Sequence, residues 1–104
     1  MTAWGYIRTA VANDPAVERQ KQSIEECAVR LGYPPPHHVH DDGIPATVNF
    51  FQRPGGARLE RDTRPGDVLI VADLTRIARE LADCVAVANY FASKGVAIVT
   101  PDQP

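Results

Sequence analysis

Four large aliphatic residues stand in a row in Asp67-Val68-Leu69-Ile70-Val71-Ala72, and this short run constrains the fold more than any other stretch. Successive side chains of a strand point to opposite faces, so an unbroken aliphatic run buries both of them. A strand buried on both sides belongs at the centre of a parallel sheet with helices covering each face. The run is preceded by Arg64-Pro65-Gly66, a turn sequence that isolates it from the segment before.

The rest of the chain supplies the helices and strands such a sheet needs. Ala3 to Arg8 reads as a strand, followed by a polar loop around Ala12-Asn13-Asp14-Pro15. Asp14 is a good N-cap and Pro15 a good first helical residue. Val17, Ile24, Cys27 or Ala28, and Leu31 then recur at helical spacing, so the first helix is expected over 15–31, stopped by Gly32. Pro34-Pro35-Pro36 is a stiff connector into a short strand from His37 to Asp41. Gly43 to Pro54 has the composition of a long loop, the kind that is functional or mobile in compact domains. A short helix is expected over 56–63 with Leu59 inward. A longer one is expected over 74–94, with Leu74, Ile77, Leu81, Cys84 or Val85, Ala88 and Phe91 on one stripe. Val96 to Thr100 closes the pattern as a last strand. This alternation predicts an α/β domain with a mainly parallel sheet of about four strands flanked by helices.

Bulk properties narrow the functions. The chain has 104 residues, 44% hydrophobic and 23% charged, which fits one globular domain over 1–104 and excludes disorder. The apolar runs are of strand length, and Met1-Thr2-Ala3-Trp4 lacks the basic and apolar regions of a signal peptide, so a cytoplasmic protein without membrane contact is expected. Cys27 and Cys84 fall among apolar neighbours and read as buried free thiols. A net charge of −2 argues against strong binding of DNA by this domain alone, because non-specific affinity comes from clustered Lys and Arg.

In a parallel sheet the working crevice lies beyond the carboxyl ends of the strands. Three separated motifs fall there: Tyr6-Ile7-Arg8-Thr9-Ala10, Asp41-Asp42-Gly43-Ile44, and Thr75-Arg76-Ile77-Ala78-Arg79, with Arg53-Pro54 between the last two. In order and spacing, from Tyr6 to Thr100, the chain resembles the catalytic domain of the serine recombinases, the resolvase and invertase family. The resemblance implies that Arg8, Arg53, Arg76 and Arg79 bind the scissile phosphate, a task suited to a planar fork of donors. It also implies catalytic roles for Gln20 and Asp41. Arg76 and Arg79 are expected on one face of the last helix. Active relatives are expected to link a serine covalently to DNA without metal or other cofactor, in dimers that pair into tetramers. They are expected to continue into a dimerisation helix and a DNA-binding domain, both of which a chain ending at Pro104 would lack. DNA is the implied partner, with a homo-oligomer or a protein partner as further possibilities.

The departures from the pattern are chemical. Ala10 stands where the resemblance implies the nucleophilic serine, and a methyl group cannot attack phosphorus. Pro45-Ala46 replaces a Ser-Gly pair, and Thr75 replaces the aspartate before the first arginine of the last motif. The reading is therefore a recombinase catalytic domain without strand-cleaving activity. A non-catalytic anion-, nucleic-acid- or protein-binding module on the same fold is the alternative. Thr9 is the nearby hydroxyl that a third reading, an enzyme with a different nucleophile, would need, but alternation along the strand aims it away from the side facing Ala10. His38, His40 and Asp42 share one side of their strand and would make a three-ligand metal face, although a polar edge strand accounts for the run equally well. Phe50-Phe51 is either a partner patch or a folded-back loop pair.

Overall fold

Four strands form in the computed structural model, which describes residues 1–101: β1 (Ala3–Arg8), β2 (His37–Asp41), β3 (Val68–Val71) and β4 (Ala97–Val99). They make one parallel sheet in the order β2-β1-β3-β4. Parallel neighbours need a crossover each. Helix α1 (Ala16–Leu31) joins β1 to β2, α2 (Pro54–Asp62) joins β2 to β3, and α3 (Leu81–Ser93) joins β3 to β4.

The two central strands are buried along their whole length, and their alternation divides the core. Ala3, Ile7, Val68 and Ile70 face α1, where they meet Ile24, Cys27 and Ala28. Trp4, Tyr6, Leu69 and Val71 face the opposite side and pack with Leu59 of α2 and with Cys84, Val87 and Phe91 of α3. Both thiols are buried and unpaired. Among the described residues no helix is long and apolar enough to cross a membrane.

Helix α1 starts one residue later than its sequence predicts, with the Asp14 carboxylate accepting from the Ala16 amide at 2.8 Å. Gly32 closes it at φ 76°. The segment expected as a plain loop from Gly43 to Pro54 contains a 3₁₀ turn at Phe50–Gln52, capped by the Asn49 side chain. Phe50 is buried and Phe51 half-buried, packed edge-to-face against Phe91 and Tyr90 of α3, so the pair folds back onto the protein. Helix α2 begins at Pro54, earlier than expected, since proline at the first helical position gives up no hydrogen bond.

The helix expected from Leu74 to Lys94 is broken. Residues Leu74–Arg76 form a 3₁₀ turn, Glu80 is extended at φ −98° and ψ 141°, and α3 starts only at Leu81. A continuous α-helix would bond the carbonyls of Thr75, Arg76 and Ile77 to amides four residues on. Here all three carbonyls accept from arginine side chains instead. Of the expected stripe Ile77, Cys84 and Phe91 are buried and Ala88 half-buried, whereas Leu81 is 71% exposed; Val87 is buried and Val85 is 48% exposed.

The other end of the sheet is held by Asp67, whose carboxylate accepts from the Thr2 amide at 2.9 Å, the Trp4 indole at 3.0 Å and the Arg64 amide at 2.9 Å. Burial pushes this carboxyl up, but the three donors outweigh it and leave its pKa below the ordinary value. A group whose folded pKa is depressed stabilises the fold fully above its unfolded pKa, about 4, and loses that contribution as pH falls through the folded value. Asp67→Asn should therefore cost about 1–3 kcal/mol at pH 7. In urea denaturation series the gap between wild type and variant should close below pH 4.

Candidate functional site: an arginine-clasped rim

Because every strand runs the same way, the ends of β1, β2 and β3 open on one rim, and the residues just past them meet there. The end of β1 is finished by a side chain. Gln20 of α1, 3% exposed, accepts from the Arg8 amide at 3.2 Å and donates to the Arg8 carbonyl at 3.1 Å, in the manner of a neighbouring strand. Both polar ends of its amide are thereby spent on the main chain.

The side chains of Arg8 and Arg53 are buried, at 6% and 1% exposure, and both grip backbone. Arg8 donates through Nε to the Arg76 carbonyl, through Nη1 to the Ile44 carbonyl and through Nη2 to the Thr75 carbonyl, at 3.1, 2.8 and 3.0 Å. Arg53 donates to the carbonyls of Val48, Ala46, Arg76 and Ile77 and to the Tyr6 hydroxyl. The two guanidinium groups thus share the Arg76 carbonyl and tie the 44–48 loop to the 75–77 turn. Burial, with the charge of Arg53 beside it, pulls the Arg8 guanidinium below its ordinary pKa. It remains charged, as arginine does in proteins.

Asp41 completes the clasp from the end of β2. At 2% exposure it accepts from the Tyr6 hydroxyl at 2.7 Å and from the amides of Gly55 and Gly56 at 2.7 and 3.1 Å, capping α2. Only glycine allows this approach: a Cβ on Gly55 would lie 2.7 Å from Asp41 Oδ2, and one on Gly56 would lie 1.9 Å from the Phe50 carbonyl oxygen. Burial raises the Tyr6 phenol well above its usual pKa, ahead of the opposing pull of Arg53, so it stays protonated.

The outward-facing part of the rim is smaller. Ala10 is exposed, while Thr9 is 1% exposed with its Oγ1 enclosed and unpartnered. Arg76 is held at the rim by donating through Nη1 to the Arg8 carbonyl at 3.3 Å, and its Nε lies 3.4 Å from Asp73 Oδ2. Thr75 is exposed and donates its hydroxyl and amide to Asp73 Oδ1. Arg79 is exposed beside a cleft of about 350 Å³ between the 46–51 segment and the start of α3. Because the helix is broken at Glu80, Arg76 lies in the 3₁₀ turn and Arg79 in the link after it, and the expectation of one shared helix face does not hold.

Two residues of this constellation were not singled out from sequence for these parts. Asp73 precedes the segment expected to start a helix at Leu74, and its side chain caps the 3₁₀ turn that forms there. Tyr6 enters the sequence pattern only as part of a motif, since nothing local says that its hydroxyl meets residues 35 and 47 positions away. The histidine face does not assemble a site: His38 Nε2 lies 3.1 Å from Glu25 Oε1, and among the described residues no group of three or more His, Cys, Asp or Glu is placed to hold a metal.

Lysine is a poor replacement for a fork with five acceptors, because one ammonium has three donors at a single point. Arg53→Lys should destabilise the fold by about 2–4 kcal/mol. Chemical denaturation measures the loss, and amide exchange should show it centred on residues 44–53 and 74–80.

Comparison with known proteins returns the same architecture. The N-terminal catalytic domain of TP901-1 integrase superposes with a TM-score of 0.83 at 17% identity, covering 98% of this chain and 79% of that one. The C-terminal catalytic domain of ISC1926 TnpA, an IS607-like serine recombinase, gives a TM-score of 0.77 at 20% identity, covering 100% of this chain and 71% of that one. At these identities the likeness establishes the fold. No protein of curated function matches the chain by sequence. The family described as "Resolvase, N terminal domain" matches residues 3–104, nearly the whole sequence, and the chain belongs to that family.

Proposed function

We propose that this domain is a serine-recombinase catalytic scaffold that meets a DNA phosphodiester at its rim but does not cleave it. The observation that carries the reading is the pairing of Ala10 and Thr9: the exposed position has no hydroxyl, and the adjacent hydroxyl is enclosed. Thr75, an exposed residue of the same rim, donates its hydroxyl to Asp73 and lies on a different element from position 10. With a methyl group at position 10, covalent attack on phosphorus from that position has no starting atom.

The four arginines divide in this reading. Arg76 and Arg79 are the phosphate-facing pair, since the side chain of the first is a quarter exposed and the second is exposed. Arg8 and Arg53, with Gln20 and Asp41, act from behind by fixing the loops that carry the rim. No metal or other cofactor enters, because charge on the phosphate oxygens is met by guanidinium groups. A cytosolic setting accords with two buried free thiols. Oligomerisation and further domains belong to the family's way of working and are part of the proposal.

Wild-type protein incubated with nicked or supercoiled DNA should give no covalent adduct on denaturing electrophoresis, and an adduct would refute the reading. Binding to a short duplex should be weak and salt-dependent, with log K falling as log salt rises by about 0.9 for each phosphate neutralised. Replacing Arg76 and Arg79 together by alanine should reduce that slope by about 2. An unchanged slope would place the DNA contact elsewhere.

A further inference from the structure

We infer that Asp73 is the positioning residue for Arg76, supplying from two positions upstream a carboxylate at the rim where position 75 carries threonine. The inference rests on the reading above that Arg76 faces a phosphodiester. Its grounds are geometric. Asp73 Oδ1 accepts from the amide and hydroxyl of Thr75, which holds the carboxylate at the start of the 3₁₀ turn. The other oxygen, Oδ2, then lies 3.4 Å from Arg76 Nε, an atom enclosed by protein with no hydrogen-bond partner of its own. The Arg8 carbonyl takes Nη1 from the second edge of the fork at 3.3 Å. One edge is thereby held by a hydrogen bond and the other faces the Asp73 carboxylate as an ion pair, and among the described residues Nη2 makes no hydrogen bond.

An ion pair with partners 25% and 45% exposed adds little to stability. What it sets is direction. A guanidinium on a free side chain must give up several rotatable bonds when it meets an anion, and one already held by Asp73 and Arg8 has given them up in the fold. Thr75 takes part through its hydroxyl, which holds the carboxylate that holds the arginine. Thr75 and Asp73 together therefore form one device, and the rim keeps an oriented arginine without an acidic residue at position 75.

Side-chain nitrogen NMR on the full chain tests this directly. Asp73→Asn removes the charge but keeps a good cap for the turn. In wild type the Arg76 Nε–Hε order parameter should lie in the rigid range, about 0.85, beside those of Arg8 and Arg53. In Asp73→Asn it should fall below about 0.6 while Arg8 and Arg53 stay rigid, which also shows that the fold is intact. Asp73→Ser, another capping residue without charge, should give the same loss. Arg76 equally rigid in both variants, or already mobile in wild type, would overturn the inference. Titration with a thymidine dinucleotide separates the two claims. The Arg76 signal should shift in wild type, with at least a several-fold smaller shift in Asp73→Asn. A rigid, Asp73-dependent Arg76 that ignores the dinucleotide would defeat the phosphodiester reading and leave the positioning role standing.

Discussion

The fold of the rim turns on a competition for three carbonyl oxygens. Those of Thr75, Arg76 and Ile77 would belong to a helix if the local sequence alone decided, and Leu74 to Lys94 has the composition for it. Arg53 and Arg8 outbid the helix because each donates several charge-assisted bonds from one rigid fork, and each such bond is worth more than a neutral amide pair. A buried guanidinium without acceptors would cost several kcal/mol, so once the arginines are enclosed the turn must open its carbonyls to them. The 44–48 loop is bound by the same side chains, and so are Tyr6 and, through it, Asp41 and α2. Loop, turn and helix start are thereby parts of one hydrogen-bonded body.

This dependence explains which features could be read from sequence. The Val68-Leu69-Ile70-Val71 run announces a central strand because its burial on both faces is a local property of the residues. Helix α1 is equally local, with its cap at Asp14 and its stop at Gly32. The broken helix is not: nothing between Leu74 and Lys94 reveals that an arginine more than twenty residues upstream and another near the N-terminus will take its carbonyls. Asp73 lies immediately before the expected helix at 74–94, and as the cap of the 3₁₀ turn that forms there instead it faces Arg76. Gln20 and Asp41 were legible as positions through the family resemblance, but their contacts with the Arg8 backbone and the α2 amides belong to the assembled sheet.

Retained arginines in a domain of this family do not by themselves report retained chemistry. Arg8 and Arg53 are fully engaged with backbone carbonyls and the Tyr6 hydroxyl, so the demand for them does not depend on the residue at position 10. Their contacts serve the fold. Residues at the outer edge carry a different message: Arg79 has no structural partner among the described residues, and Arg76 is only partly enclosed. Under the proposed reading these two positions are free to drift if the rim no longer meets an anion, whereas the inner pair is not.

The link from Arg53 through Tyr6 to Asp41 has a polarity of its own. The guanidinium can only donate and the carboxylate can only accept, so the hydroxyl between them has one permitted orientation, its proton toward Asp41 and its lone pair toward Arg53. With the phenol protonated throughout the working pH range, the arrangement cannot invert or pass a proton along. It is a fixed line of dipoles running from the 75–77 turn to the first turn of α2. The interior beneath the rim therefore carries a standing electric field rather than a relay, and that field persists whatever happens at position 10.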